Sequence, residues 1–345
     1  MTLRSEILEQ PEVIRGLLER ERSNLESIVR ALKGMDFQYV YLAARGTSDN
    51  AGRYAEYVFG SLNHLPFALA TPSLFTRYHQ VPRLEGALAL GISQSGQSPD
   101  VVAVLAEARR QGRPTLAITN RPDSPIGRTA DFVINLGAGE ERAVAATKTY
   151  TASLAAVALL AALLSGDQSA LDRLGAIPGE VDQVLSREAH YREAAQRMAS
   201  MERCVVLGRG YHYATAFEWA LKMKEMAYVL ADPYSPADFM HGPVALIDRT
   251  FPVLAVATRG DVMDSMLEVL EGVQRDQHAR LVVLSDDPRA LRLAEVPLEL
   301  PGAAPEWLAP IVAAVAGQLF SYHLTLEKGL NPETPRSIHK VTETE

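Results

Sequence analysis

Aligned against itself, the chain matches at one useful offset, 164 residues, and does so at three separated places. Tyr39-Val-Tyr-Leu-Ala-Ala-Arg-Gly46 falls opposite Arg203-Cys-Val-Val-Leu-Gly-Arg-Gly210. Leu88-Ala-Leu-Gly-Ile-Ser-Gln-Ser-Gly96 falls opposite Pro252-Val-Leu-Ala-Val-Ala-Thr-Arg-Gly260, and Ala130-Asp-Phe-Val-Ile-Asn-Leu136 opposite Ala294-Glu-Val-Pro-Leu-Glu-Leu300. The first pair are apolar runs that read as buried strands ending in Arg-Gly before a helix. Strand positions recurring in register are what an ancient duplication leaves behind.

Helical stretches at 101–111 and 263–274 and further strands at 115–119 and 280–284 lie between the matched segments. Alternating strands and helices imply parallel sheets with right-handed crossovers. The expected fold class is therefore α/β, with two doubly wound parallel-sheet domains in tandem, each a three-layer sandwich, at residues 35–165 and 200–330. Residues 1–34 read as an amphipathic helix or helix pair, 166–199 as a helical linker whose polar stretch begins at Pro178, and 331–345 as a polar tail. A length of 345 residues agrees with two domains rather than one.

Composition narrows the function classes. With 42 acidic against 34 basic residues the formal charge is −8, which argues against nucleic acid as a partner, since such binding draws on basic patches. The single cysteine, Cys204, rules out an intrachain disulfide and a cysteine metal cluster. The most apolar stretch, 154–164, is shorter than the roughly 20 residues a membrane helix needs and reads as a core helix. The N-terminus shows no continuous apolar segment of a secretory signal, so a soluble cytoplasmic protein is expected.

In open α/β sheets, ligands settle beyond the carboxyl ends of strands, and there the two halves differ. The first half carries Gly46-Thr-Ser-Asp49 and Ser93-Gln-Ser-Gly-Gln-Ser98, each leading into a helix. Backbone N–H groups at a helix start, with hydroxyls beside them, can surround a phosphate, and glycine lets the backbone approach it. The same residues also suit plain helix capping, by Ser98 with Pro99 behind it and by Thr47 or Ser48. The second half has Tyr211-His-Tyr213 and Thr258-Arg-Gly-Asp261 instead.

On the expected helix Thr215–Tyr228, Glu218, Lys222 and Glu225 share one face. A carboxylate beside an ammonium suits a general base next to a carbonyl, and it equally suits a surface ion pair. His241, in the turn Asp238-Phe-Met-His-Gly-Pro243, could pass protons near neutral pH. No Ser/His/Asp signature, zinc helix, Walker loop or dinucleotide fingerprint is present, so no cofactor and no metal is expected.

Taken in order, Gly46-Thr-Ser48, Ser93-Gln-Ser-Gly-Gln-Ser98, Ala145-Ala-Thr-Lys148, Leu221-Lys-Met-Lys-Glu225 and His241-Gly-Pro243 resemble the tandem sugar isomerase (SIS) domain family. The opening Glu9-Gln-Pro-Glu-Val-Ile-Arg15, Leu207-Gly-Arg-Gly210 and the ending Pro335-Arg-Ser-Ile-His-Lys-Val-Thr342 extend the likeness to nearly the whole chain. Within that family the chain is similar to the isomerase half of glucosamine-6-phosphate synthases and to stand-alone glucosamine-6-phosphate deaminases.

The resemblance implies flavodoxin-like domains and a sugar phosphate held by Thr47, Ser48, Ser93, Gln94, Ser95 and Ser98, with Val144 contributing backbone contacts to the sugar. It implies that Glu225 moves a proton between C1 and C2, that Lys222 sits beside it, that His241 opens the ring, and that Lys340 reaches the open-chain carbonyl. It further implies a homodimer in which His241 comes from the neighbouring subunit. Arg45, Ser98 and His339 depart from the synthase pattern, and His339, before the tail lysine, bears on sugar specificity. No glutaminase segment accompanies these motifs, so release of ammonia is expected over its addition. The rival readings are a fructosamine-6-phosphate deglycase, an ammonia-independent phosphosugar isomerase, and a sugar-phosphate sensor without chemistry.

Overall fold

The computed structural model describes residues 2–302 and 304–340, so the end of the expected polar tail, 341–345, lies outside the described residues. The chain divides into two compact units. The first comprises Glu9–Arg142, Lys148–Gly175 and Ile338–Glu345, and the second Met1–Leu8, Ala143–Thr147 and Ala176–Ser337.

In the first unit, β1 (Tyr39–Ala43), β2 (Phe67–Leu69), β3 (Ala87–Ile92), β4 (Thr115–Thr119) and β5 (Phe132–Asn135) form a parallel sheet in the order β2-β1-β3-β4-β5. In the second, β6 (Arg203–Gly208), β7 (Leu230–Tyr234), β8 (Pro252–Val256), β9 (Arg280–Ser285) and β10 (Val296–Glu299) are also parallel, in the order β10-β9-β8-β6-β7. Counted within its own unit, each sheet runs 2-1-3-4-5, the flavodoxin-like order. The strands β1 and β6, and β5 and β10, start 164 residues apart, as the self-match requires.

Every residue of β3 is buried, because helices cover both faces of a parallel sheet. Gly91 within it is needed for close packing: a Cβ there would run into Leu105 and Ile126. The edge strands β2 and β7 were not expected from sequence. β2 has three residues, and β7 contains Pro233, which only an edge strand tolerates.

Two helices, Lys148–Ser165 and Ala309–Glu327, are long and apolar enough to cross a membrane by length alone, yet 83% and 89% of them is buried within the protein. Apolar on all sides, they are core helices. The leading segment is a helix pair, Leu3–Leu8 and Gln10–Lys33. The polar helix expected to open at Pro178 instead runs Gln168–Ser186 with Pro178 inside it, and a second helix, Glu188–Arg197, follows.

Candidate active site

In each 2-1-3-4-5 sheet the chain reverses direction between its first and third strands, and a crevice opens beyond their carboxyl ends. In the first unit the loops there are Arg45–Ser48, after β1, and Ser93–Ser98, after β3. Gly46, at φ 54°, is the residue that precedes the helix Thr47–Asn63, so Thr47 and Ser48 occupy its first turn. Capping by Thr47 or Ser48 is thereby corrected: the left-handed backbone needed at this corner favours glycine.

Ser98 does stand in the capping position of the helix Pro99–Arg110, but its side chain makes no cap hydrogen bond. Its hydroxyl lies 3.3 Å from that of Ser93, and Ser93 Oγ also accepts the Gly96 N–H at 3.1 Å. Ser95 Oγ accepts the Gln97 N–H at 3.3 Å. The hydroxyls therefore turn inward around the loop rather than toward the helix end.

Beside these loops is a cleft of about 820 Å³, whose walls include Gln94, Ser95, residues 120–124, Glu140–Arg142 and Lys340. Lys340 Nζ donates to Glu141 Oε2 at 2.6 Å. Glu141, fully buried at its side chain, is fixed in turn by the N–H and hydroxyl of Thr149 at 3.1 and 2.8 Å. His339 is exposed and outside the cleft wall, and Val144, half-buried, belongs to the second unit. The opening motif has a structural partner: Glu9 pairs with the buried Lys148 at 2.6 Å, and Gln10 accepts from Thr151 at 2.8 Å.

In the second unit, the expected regular helix through Tyr228 is interrupted. An α-helix covers His212–Lys222, and Met223–Ala227 continues as a π-turn that ends where Tyr228 turns left-handed at φ 53°. Wide turns of this kind recur at functional sites. Lys222, 1% exposed, places Nζ 2.6 Å from Glu225 Oε2 and 3.3 Å from Glu218 Oε1. This excludes a surface ion pair. Burial pulls the Lys222 pKa down, but Glu218 and Glu225 together outweigh it and hold the ammonium above the ordinary lysine range. Glu218 is 3% exposed and Glu225 25%, so Glu225 is the member of the trio that solvent and ligand can reach.

His241 is exposed after the short helix Pro236–Met240, and its Nδ1 donates to the Ala237 carbonyl at 2.7 Å, which leaves Nε2 pointing its remaining capacity outward. Gly242, at φ 151°, makes the turn into Pro243.

The crevice of the second sheet is filled by its own side chains, which sequence reasoning missed. His212 stands 164 residues after Ser48, and Thr258 the same distance after Gln94. His212 Nε2 lies 2.6 Å from Thr258 Oγ1 and Nδ1 lies 3.2 Å from Thr215 Oγ1. Burial pushes the His212 pKa down to about 3. The Glu306 carboxylate takes the Asp261 N–H at 2.9 Å and crowds Gly260, where a Cβ would strike it. Among the described residues no group of three or more His, Cys, Asp or Glu is arranged to hold a metal ion.

The family model for the SIS domain matches residues 38–163 and 197–328, spanning both sheets. The chain belongs to the SIS-domain family. The isomerizing glutamine–fructose-6-phosphate aminotransferase of Gloeobacter violaceus is 35% identical to this SIS chain over 350 residues, which is 97% of the chain and 57% of that protein. The chain thus spans little more than half of such relatives. The C-terminal domain of the glucosamine-fructose-6-phosphate aminotransferase of Francisella tularensis matches it with a TM-score of 0.86 and 28% identity, covering 96% of this chain and 98% of that one. The glucosamine-6-phosphate deaminase of Thermotoga maritima matches with a TM-score of 0.79 over 100% of each chain, and at 19% identity this likeness is one of fold.

One further residue of the SIS loops escaped sequence reasoning. Arg45, noted only as a departure from the synthase pattern, donates from Nε to Asp100 Oδ2 at 2.5 Å and so ties the loop after β1 to the helix that follows the Ser93–Ser98 loop. Asp100, 1% exposed, lies at a helix start and gave no sequence signal beyond that.

Proposed function

We propose that the chain is a phosphosugar aldose–ketose isomerase acting on an amino sugar phosphate, converting glucosamine 6-phosphate to fructose 6-phosphate and ammonia. The observation that carries this reading is the buried Glu218–Lys222–Glu225 trio with Glu225 as its accessible member. Lys222 holds Glu225 Oε2 at 2.6 Å and fixes the direction of the carboxylate, as a base that must reach neighbouring carbons requires.

In this reading the phosphate sits at the two helix starts, among Thr47, Ser48, Ser93, Gln94, Ser95 and Ser98, where N–H groups and hydroxyls neutralise it without a counter-charge. Anchored there, it orients the sugar as well as binding it. His241, with Nδ1 engaged by Ala237, uses Nε2 to assist ring opening. Glu225 takes the C2 proton and returns it to C1 through an enolamine. The C2 imine adds water and expels ammonia, leaving the ketone of fructose 6-phosphate. Lys340, beside Glu141 in the cleft, attends the open-chain carbonyl. The exposure of His241 supports a homodimer in which each subunit lends this histidine to its neighbour's site.

The test is to incubate the purified protein with glucosamine 6-phosphate and follow both products. Equimolar ammonia and fructose 6-phosphate are expected. Saturable sugar-phosphate binding without ammonia would overturn the deaminase reading.

A further inference from the structure

Glu225 stands on an irregular support. It is the third residue of the π-turn Met223–Ala227, and the turn closes on one acceptor, the Met223 carbonyl, which takes the N–H groups of both Tyr228 and Val229, the latter at 3.3 Å. A wide turn made of good helix formers competes with a regular helix, so its exit has to be held from outside. Tyr228, at that exit, has φ 53°, a backbone conformation that a bulky residue keeps only where its surroundings fix it.

What fixes Tyr228 is the start of the tail. The Arg336 N–H donates to the Tyr228 hydroxyl at 2.8 Å, and the Arg336 guanidinium lies over the same ring, with Cζ 4.0 Å from its centroid. That is well inside the roughly 6 Å reach of a cation–π contact. One residue thus engages both the face of the ring and its hydroxyl. The tail is anchored in turn: Pro332 and Pro335 are buried, and the Glu333 carboxylate accepts the Leu3 N–H, at the start of the helix Leu3–Leu8, at 3.0 and 3.1 Å. Directly after Arg336 the backbone turns left-handed, at Ser337 with φ 59°. Leu3, the π-turn, Tyr228, Glu333 and Arg336 all belong to the second unit.

We infer that Tyr228 and Arg336 are positioning residues for the base: the tail clasps the end of the π-turn and so keeps Glu225 aimed. Lys222 fixes the carboxylate through the side chain, at 2.6 Å, and the clasp fixes the backbone that carries it. Both residues act through Glu225. This rests on the reading of Glu225 as the base and adds what holds its backbone in place.

Turnover of glucosamine 6-phosphate would be measured for the wild type, Tyr228→Leu, Tyr228→Phe, Arg336→Ala and Arg336→Lys, and Arg336→Ala would also be combined with Glu225→Gln and, separately, with Lys340→Met. Tyr228→Leu and Arg336→Ala should each lower kcat roughly tenfold, short of the ~100-fold that a misplacement of about 1 Å can cost, with KM within about twofold. The unchanged KM also shows that the variants fold, and Arg336 is exposed, so its replacement leaves the core untouched. Tyr228→Phe and Arg336→Lys, which keep a cation over a ring, should stay within about threefold of the wild type. Arg336→Ala should cost less than about twofold on top of Glu225→Gln, since an absent base cannot be misaimed, and its full roughly tenfold on top of Lys340→Met. A kcat unchanged by Tyr228→Leu and Arg336→Ala, or a loss that persists in full beside Glu225→Gln, would overturn the clasp while leaving the base in place. So would a loss absorbed by Lys340→Met, which would mean that Arg336 serves the tail lysine instead. Full turnover by Glu225→Gln, or none by the wild type, would overturn the reading of Glu225 itself, and the clasp with it.

Discussion

Ser98 separates two jobs that a serine before a helix can do. Its hydroxyl faces Ser93 and not the helix end. Ser98→Ala should therefore cost less than about 0.5 kcal/mol of stability, below the ~1 kcal/mol typical of a working cap, while weakening fructose 6-phosphate binding several-fold. Denaturant unfolding and calorimetry on the same variant check both halves. His212 makes a prediction about pH. Its folded pKa, about 3, lies below the unfolded value near 6.5, so the unfolded chain binds a proton that the folded one refuses. The stability this provides is full above pH 6.5 and is lost as pH falls toward 3. Between pH 4 and 6 the wild type should lose stability more steeply than His212→Asn, by up to about 1.4 kcal/mol per pH unit. Parallel slopes would show that the imidazole protonates in place. At this scale the hydroxyl loops were legible, because residue type and position after a strand carry their signal, whereas the spacing of Glu225 left it open between a base and a surface ion pair until its burial beside Lys222 was known.

The loops after β1 and β3 behave as one element because Arg45 bridges them through Asp100. Arg45→Ala would leave a carboxylate that is 1% exposed without its guanidinium, and should cost about 2 kcal/mol and raise the Kd for fructose 6-phosphate. The double variant Arg45→Ala/Asp100→Asn should recover most of the stability, because the uncompensated charge is gone. Thermal unfolding of the single and double variants distinguishes this from simple loss of a surface contact, in which case the second substitution recovers nothing. The matched strands and the helices between them were readable from apolar runs and periodicity. The π-turn was hidden, since Met223-Lys-Glu-Met-Ala227 is made of good helix formers and nothing in it marks a widened turn. The edge strands were hidden for the opposite reason: short, half-exposed and interrupted by Pro233, they lack the pattern of a central strand. Pro178 suggested a helix start where the helix was already ten residues along.

Duplication fixes the plan of the whole molecule, and divergence of the copies assigns their roles. The 164-residue offset made the tandem architecture legible, whereas the exchange of short segments between the two units, such as Ala143–Thr147, has no signature in composition. The first crevice keeps its hydroxyls turned inward, while the second is closed by His212, Thr258 and Glu306. Fructose 6-phosphate at 100 times its Kd should stabilise the protein by about 2.7 kcal/mol. Ser93→Ala should weaken that protection, and Thr258→Ala should leave it unchanged. Thermal shifts with and without ligand would show it, and equal losses in the two variants would mean that both crevices bind. The central claim is that Glu225 moves the proton while the first unit holds the phosphate. It is tested most directly by comparing Glu225→Gln with the wild type for turnover of glucosamine 6-phosphate and for binding of fructose 6-phosphate. The account predicts unchanged affinity with turnover reduced at least ~100-fold, the scale of a lost general base. A variant that keeps more than about a tenth of wild-type turnover would contradict it.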